Sequence, residues 1–192
     1  MKDLDLKQEI IRKAVHLTSV IIVLLYYMLD KNITLFLLTV VLIILIEIEF
    51  VRIEWGKKIP FFWRFFREKE RESLGGEVFL LIGAIIAISV FDKEIASAAI
   101  LMTTFGDMSA AIFGKAFGKK KVPKLESKYV EGCLAELFID IGIGYFFLQN
   151  LVVSLIMAVT ATTVETIVTK LDDNLLIPLF AGFNGQLALI LF

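Results

Sequence analysis

The sequence predicts an all-α, multi-pass integral membrane protein with about seven transmembrane helices. Three observations carry that expectation. Of the 192 residues, 58% are hydrophobic and the mean hydropathy is +0.81, more apolar sequence than a soluble domain of this length needs. Seven apolar stretches can be marked, at 12–29, 33–51, 77–91, 95–115, 131–148, 152–170 and 175–192, and several approach the ~20 residues of a spanning helix. With the N-terminus set in the cytoplasm and seven crossings, all the Lys and Arg except Lys31 and Lys93 fall on or just inside the cytoplasmic side, a strong positive-inside bias.

Taken in order, the first stretch reads as a retained helix. Arg12, Lys13 and His16 intrude on it, and no small-residue cleavage site follows Tyr26–Leu29, so a signal peptide does not fit. The second ends in Glu47, Glu49 and Arg52. Between it and the third lies a basic, aromatic loop at 52–74, where FFWRFFREKERE from Phe61 suits an interfacial helix. The third stretch is short, and the seventh contains Pro178, Gly182, Asn184 and Gly185. Either can be tilted, broken or only partly inserted. No repeat or linker interrupts the chain, so residues 1–192 form one domain. A single cysteine, Cys133, excludes an intrachain disulfide, and a single histidine excludes a multi-histidine metal site.

Ionisable groups inside apolar spans are costly and so become functional candidates. Here they are His16, Glu47, Glu49, Glu77, Asp107, Glu131, Glu136, Asp140 and Glu165. Nearly all fall in the cytoplasmic half of their helix, as one polar cavity open to the cytoplasm would require. Glu47 and Glu49 have a structural alternative, pairing with Arg52. Near the N-terminus Glu9, Arg12, Lys13 and His16 recur every three or four residues and share one helix face. They suit a phosphate contact or, equally, a local ion pair with headgroup anchoring.

The stretch from Gly106 to Gly132 is the most specific. Asp107 is followed at helical spacing by Ala110, Gly114 and Gly118, then by Lys119, Lys120, Lys121, Lys124 and Lys128, and finally by Glu131-Gly132 opening the fifth apolar run. Small residues in such a stripe let helices pack closely or let a nucleotide approach the backbone. The stripe serves packing within one chain or a homodimer. Lys128 lies just before a helix N-terminus, where anions are favoured. After the sixth stretch come Lys170, Asp172, Asp173 and Asn174, a set suited to a helix N-cap or to magnesium and phosphate.

These residues resemble the CTP-dependent polyprenol and lipid kinases: dolichol kinase, phytol kinase and the CTP-dependent diacylglycerol kinase. The family's pattern of Asp, Ala, Gly, Gly and a Lys-Lys-Thr-x-Glu-Gly block is matched in spacing by Asp107, Ala110, Gly114, Gly118 and Ser127-Lys128-Tyr129-Val130-Glu131-Gly132, with Ser127 and Tyr129 as departures. Glu9, Arg12, Lys13 and His16 are similar to its N-terminal signature, and Glu165, Asp173, Asn174 and Pro178 to its C-terminal one. The resemblance implies transfer of the γ-phosphate of CTP to a lipid hydroxyl at the cytoplasmic membrane face, with Mg²⁺ as cofactor and no nucleic-acid partner. It implies catalytic roles among Asp107, Lys128, Asp140 and Glu165, and magnesium at Asp107 and Asp173. Nucleotide contacts are implied at Arg12, His16, Gly114, Gly118, Lys124, Lys128, Glu131, Gly132, Lys170 and Asn174. The related CDP-lipid synthases share the central pattern and form the alternative; their Gly-Asp, Ser, Lys-Arg ending is absent after Glu131. A small ion-coupled transporter is the third reading.

Overall fold

A computed structural model describes residues 18–55, 74–123, 125–168 and 171–192. Those residues form α1 (Thr18–Met28), α2 (Lys31–Trp55), α3 (Gly76–Val90), α4 (Lys93–Phe117), β1 (Lys121–Val122), β2 (Leu125–Tyr129), α5 (Val130–Leu148), α6 (Leu151–Ile167) and α7 (Asp173–Leu191). The seven helices follow the seven apolar stretches in order. By length and composition α2, α4 and α7 suffice to cross a membrane, whereas α1, α3 and α6 are shorter apolar helices. The remaining helix, α5, carries Glu131, Glu136 and Asp140 within 19 residues. Large apolar side chains remain exposed over the outside, among them Phe36 and Ile43 on α2, Phe146 on α5 and Phe183 on α7. So extensive an apolar exterior is what a lipid-facing surface requires, and the chain is a membrane protein.

The central helix is α4, which packs against α1, α3, α5, α6 and α7. Its sequence explains the position: Ala96, Ala98 and Ala99 are fully buried beside Ile95, Ile100 and Met102, and small side chains let several helix backbones approach at once. By contrast α2 packs mainly on α3 and α1 and turns Ile43, Ile44 and Phe50 outward.

Tight reversals join the helices. Between α5 and α6, Gln149 adopts a left-handed conformation (φ 50°), and its side-chain amide donates to the Tyr145 and Phe146 carbonyls. Asn150 then caps α6, its side chain accepting from the N–H groups of Val152 and Val153 at 3.0 and 3.2 Å. That arrangement satisfies donors which the first helical turn leaves unpaired.

The seventh apolar stretch is not broken. Helix α7 runs continuously from Asp173 to Leu191 through Pro178. Proline has no N–H to give the carbonyl of Asn174 one turn earlier. On α3, Gly83 packs against that carbonyl so closely that a Cβ there would lie 2.7 Å from its oxygen. A close helix contact therefore accommodates the proline. The third stretch is short as expected, with α3 spanning 15 residues.

At one end of the bundle the Asp92 backbone N–H donates to Gln186 Oε1, and Gln186 Nε2 donates to Asp92 Oδ2, both at 2.8 Å. Lys31 donates to the Ser89 carbonyl at 2.9 Å, and Lys93 lies over the rings of Tyr26 and Tyr27. The two lysines that the charge pattern sets apart thus share this end. The opposite end carries a buried pair. Arg52 donates to Glu49, and the Gly75 N–H donates to the same carboxylate at 3.2 Å, tying the end of α2 to the start of α3. Glu49 takes the structural alternative.

Candidate functional site

The C-terminus of α4, the N-terminus of α5, the C-terminus of α6 and the N-terminus of α7 meet at the end away from Lys31 and Lys93. The lysine-rich connection between α4 and α5, read from sequence as a loop, is an antiparallel hairpin. Lys121 lies opposite Tyr129 and Val122 opposite Leu125, with Pro123 at the turn. The Val130 N–H donates to the Lys120 carbonyl at 2.9 Å, and the Glu131 carboxylate accepts from the Lys120 N–H at 3.3 Å. Glu131 therefore clasps the hairpin to the first turn of α5. The strand carries Lys128 back across the end of the bundle.

Lys128 reaches α6. Its Nζ lies 3.1 Å from Glu165 Oε1, and the Glu165 side chain is 8% exposed against 26% for Lys128. Glu165 also feels the charges of Asp107 on α4 and Asp173 on α7, with Asp173 in hydrogen-bonding reach. Four predicted residues, Asp107, Lys128, Glu165 and Asp173, therefore converge from three helices and the hairpin. Beside them Asp172 caps α7, accepting from the Asn174 N–H at 3.1 Å and from its side-chain amide at 2.8 Å. The N-cap reading of that segment holds for Asp172, and Asp173 is the acid turned toward Glu165.

The glycines of the motif close the contact between α4 and α5. A Cβ on Gly132 would sit 2.5 Å from the Ala110 carbonyl oxygen and 3.2 Å from Gly114 Cα. A Cβ on Gly118 would meet the Tyr129 ring at 2.4 Å. Gly132→Ala should push the two helices apart, costing about 1–3 kcal/mol and lowering the thermal midpoint by at least ~3 °C. At Gly142, on the same helix, a Cβ would meet nothing within 4 Å. Gly142→Ala should be neutral or slightly stabilising, because alanine favours the helix by up to ~1 kcal/mol. Thermal unfolding of both variants in one detergent checks this; equal midpoints would contradict the packing role of Gly132.

Deeper in the bundle lies a second pair of acids on α5, Glu136 and Asp140, both buried. Asp140 is 0% exposed and neither carboxyl oxygen has a hydrogen-bond partner. Its neighbour is Gly106 on α4, where a Cβ would lie 2.7 Å from Asp140 Oδ1. Asp140 is thus adjacent to the polar cluster in sequence terms, through Gly106-Asp107, but occupies its own layer. Gly106 had no role assigned from sequence; its place immediately before Asp107 was the available signal. Arg12, His16, Lys124 and Lys170 lie outside the described residues.

Comparison with characterised proteins adds one relative. CTP-dependent diacylglycerol kinase 1 of Schizosaccharomyces pombe (strain 972 / ATCC 24843) is 28% identical to the chain over 114 residues, 53% of this chain and 52% of the relative. Over that segment the chain is similar to a CTP-dependent lipid kinase. It matches about half the length of that curated relative. No family model matches the sequence, and no solved structure matches it.

Mg²⁺ is the cofactor that the sequence resemblance implies. Among the described residues no group of three His, Cys, Asp or Glu side chains is gathered into a metal cage. Mg²⁺ bound with a nucleotide takes one or two carboxylates and completes its shell with phosphate oxygens and water. Asp107 and Asp173 lie near enough to the buried Glu165 for their charges to act on it, and their carboxylates are oxygen ligands of the hardness Mg²⁺ takes.

Proposed function

We propose that the chain is a CTP-dependent lipid-alcohol kinase, transferring the γ-phosphate of CTP to the hydroxyl of a polyprenol-, dolichol- or diacylglycerol-like lipid. The observation that carries this reading is the convergence of Lys128, Glu165, Asp107 and Asp173 at one end of the bundle, in a chain related to a CTP-dependent lipid kinase.

Phosphoryl transfer demands positioning and charge neutralisation more than covalent chemistry. The lipid hydroxyl oxygen forms a bond to the γ-phosphorus, the bond from that phosphorus to the β–γ bridging oxygen breaks, and CDP leaves. Lys128, held by Glu165, presents a fixed ammonium to the phosphates. The basic hairpin keeps the anion-rich approach favourable through Lys119, Lys120 and Lys121. A carboxylate accepts the hydroxyl proton, with Glu165, Asp140 and Glu136 as candidates. When bound, Mg²⁺ neutralises phosphate charge, and Asp107 with Asp173 would hold it.

The site lies on the cytoplasmic side in this reading, with all seven helices crossing. Cysteines placed singly at Lys120 and Lys31 in a Cys133→Ser background should react with an impermeant reagent from opposite sides; reaction from the same side contradicts that topology. The chemical test is purified chain with Mg-CTP and a panel of long-chain alcohols and diacylglycerol, read by mass spectrometry of the lipids. The expected product is the lipid monophosphate. A CDP-lipid from an added lipid phosphate, with no monophosphate from any alcohol, would favour the cytidylyltransferase reading instead.

A further inference from the structure

Tyr129 breaks a local rule. It stands at the N-cap of α5, a position that favours Ser, Thr, Asp or Asn, whose short polar side chains accept from the free N–H groups of the first turn. The Tyr129 side chain makes no capping hydrogen bond. Threonine there would supply one. The residue is therefore tyrosine for a reason other than starting the helix.

Its ring has a seat on α4. Gly114 and Gly118 are four residues apart and share one face of that helix. A Cβ at Gly114 would lie 3.7 Å from Tyr129 Cβ and Cδ2, and a Cβ at Gly118 would run into the ring itself. At this level the small-residue stripe is occupied by a side chain of the same protein.

Lys128 leaves the strand on the other side. Successive side chains of a strand point to opposite faces, and the contacts follow that alternation. Tyr129 meets α4, whereas Lys128 Nζ donates to Glu165 Oε1 on α6 at 3.1 Å. The Val130 N–H bond to the Lys120 carbonyl and the Glu131 clasp on the Lys120 N–H tie the hairpin to itself and to α5. The ring ties it to α4, the helix that carries Asp107.

We infer that Tyr129 is a positioning residue for Lys128: the ring seated on Gly114 and Gly118 fixes β2 against α4 and so sets the reach of the ammonium toward Glu165. The inference rests on the kinase reading only for what Lys128 then grips. Its test is a cycle of variants of the full chain in one detergent, read by thermal unfolding and by CTP kinetics. Lys128→Ala should lower the thermal midpoint of the otherwise unchanged chain by about 3 °C or more, because it strands the buried Glu165. In a Tyr129→Thr chain, whose α5 gains a cap but whose lysine has lost its seat, the same substitution should lower the midpoint by less than about half as much. Tyr129→Phe keeps the ring and should restore the full fall. Residues that act independently give equal falls in every background, so an equal fall in the Tyr129→Thr chain overturns the inference. A Tyr129→Phe chain as impaired as Tyr129→Thr overturns it too, since the hydroxyl and not the ring would then matter. With Mg-CTP and an accepted lipid alcohol, kcat/KM for CTP should fall roughly tenfold in Tyr129→Thr and stay within about twofold in Tyr129→Phe. The double variant Tyr129→Thr, Lys128→Ala should be no slower than Lys128→Ala alone, and losses that multiply instead would contradict a role through the lysine. A chain that turns over no CTP removes the kinase reading, while the thermal cycle still decides whether the ring holds the lysine.

Discussion

Lys128→Ala should lose about 10- to 100-fold in kcat/KM, while Lys119→Ala should lose less than a factor of a few. The first figure follows from one charge-assisted contact of roughly 1.5–3 kcal/mol realised in the transition state. Lys128 is half-buried and paired with Glu165 at 3.1 Å, whereas the Lys119 side chain is exposed. Removing Lys128 also strands the buried Glu165 carboxylate beside Asp107 and Asp173, and breaking a buried pair is destabilising. The double variant Lys128→Ala, Glu165→Gln separates the two effects. It should recover thermal stability, because the stranded charge is gone, without recovering the rate. Recovery of both, or equal losses for Lys128→Ala and Lys119→Ala, would mean that the hairpin acts through bulk charge alone.

Asp107→Asn should reduce turnover by roughly 100-fold or more, the scale for removing a group that supports transition-state charge, and leave the chain folded. Asparagine keeps the shape and removes the charge facing the polar cluster. The contrast is Glu49→Gln. Glu49 is 4% exposed and bound to Arg52 and to the Gly75 N–H, so Glu49→Gln removes the charge from a buried ion pair. That variant should show a lower thermal midpoint, by an amount corresponding to a few kcal/mol, with the activity of the remaining folded protein little changed. Full activity of Asp107→Asn at ordinary Mg²⁺ would remove Asp107 from the site.

The helices were legible in the sequence because lipid asks for little else: a spanning segment is apolar on every face, and the long run from Ile33 to Val51 reads at once. Boundaries were legible where short polar residues stop a helix, as at Asp30, Asp92 and Gln149-Asn150. The hairpin was not, since Lys119, Lys120, Lys121, Lys124 and Lys128 dominate its composition and mask the pairing of Val122 with Leu125. Pro178, Gly182, Asn184 and Gly185 left a break in the seventh stretch open, and α7 runs through them with the Asn174 carbonyl packed against Gly83.

Within the site, the sequence singled out the residue types and their depth. It did not show which acid meets Lys128. The Lys128–Glu165 contact joins residues 37 apart in the chain, so only the packing of α6 beside the hairpin brings them together. Glycine alone is equally ambiguous in sequence. Gly132 touches α4, Gly106 faces Asp140 and Gly142 faces open space; periodicity does not separate these three uses.

The central claim is that the γ-phosphate of CTP reaches a lipid hydroxyl. The most direct measurement uses CTP carrying distinct labels at the α- and γ-phosphorus, incubated with the purified chain, Mg²⁺ and a lipid alcohol, followed by organic extraction. The account predicts γ-label in the lipid phase and α-label retained in water-soluble CDP. Label from the α-phosphorus in the lipid phase, with γ-label released in pyrophosphate, would contradict it.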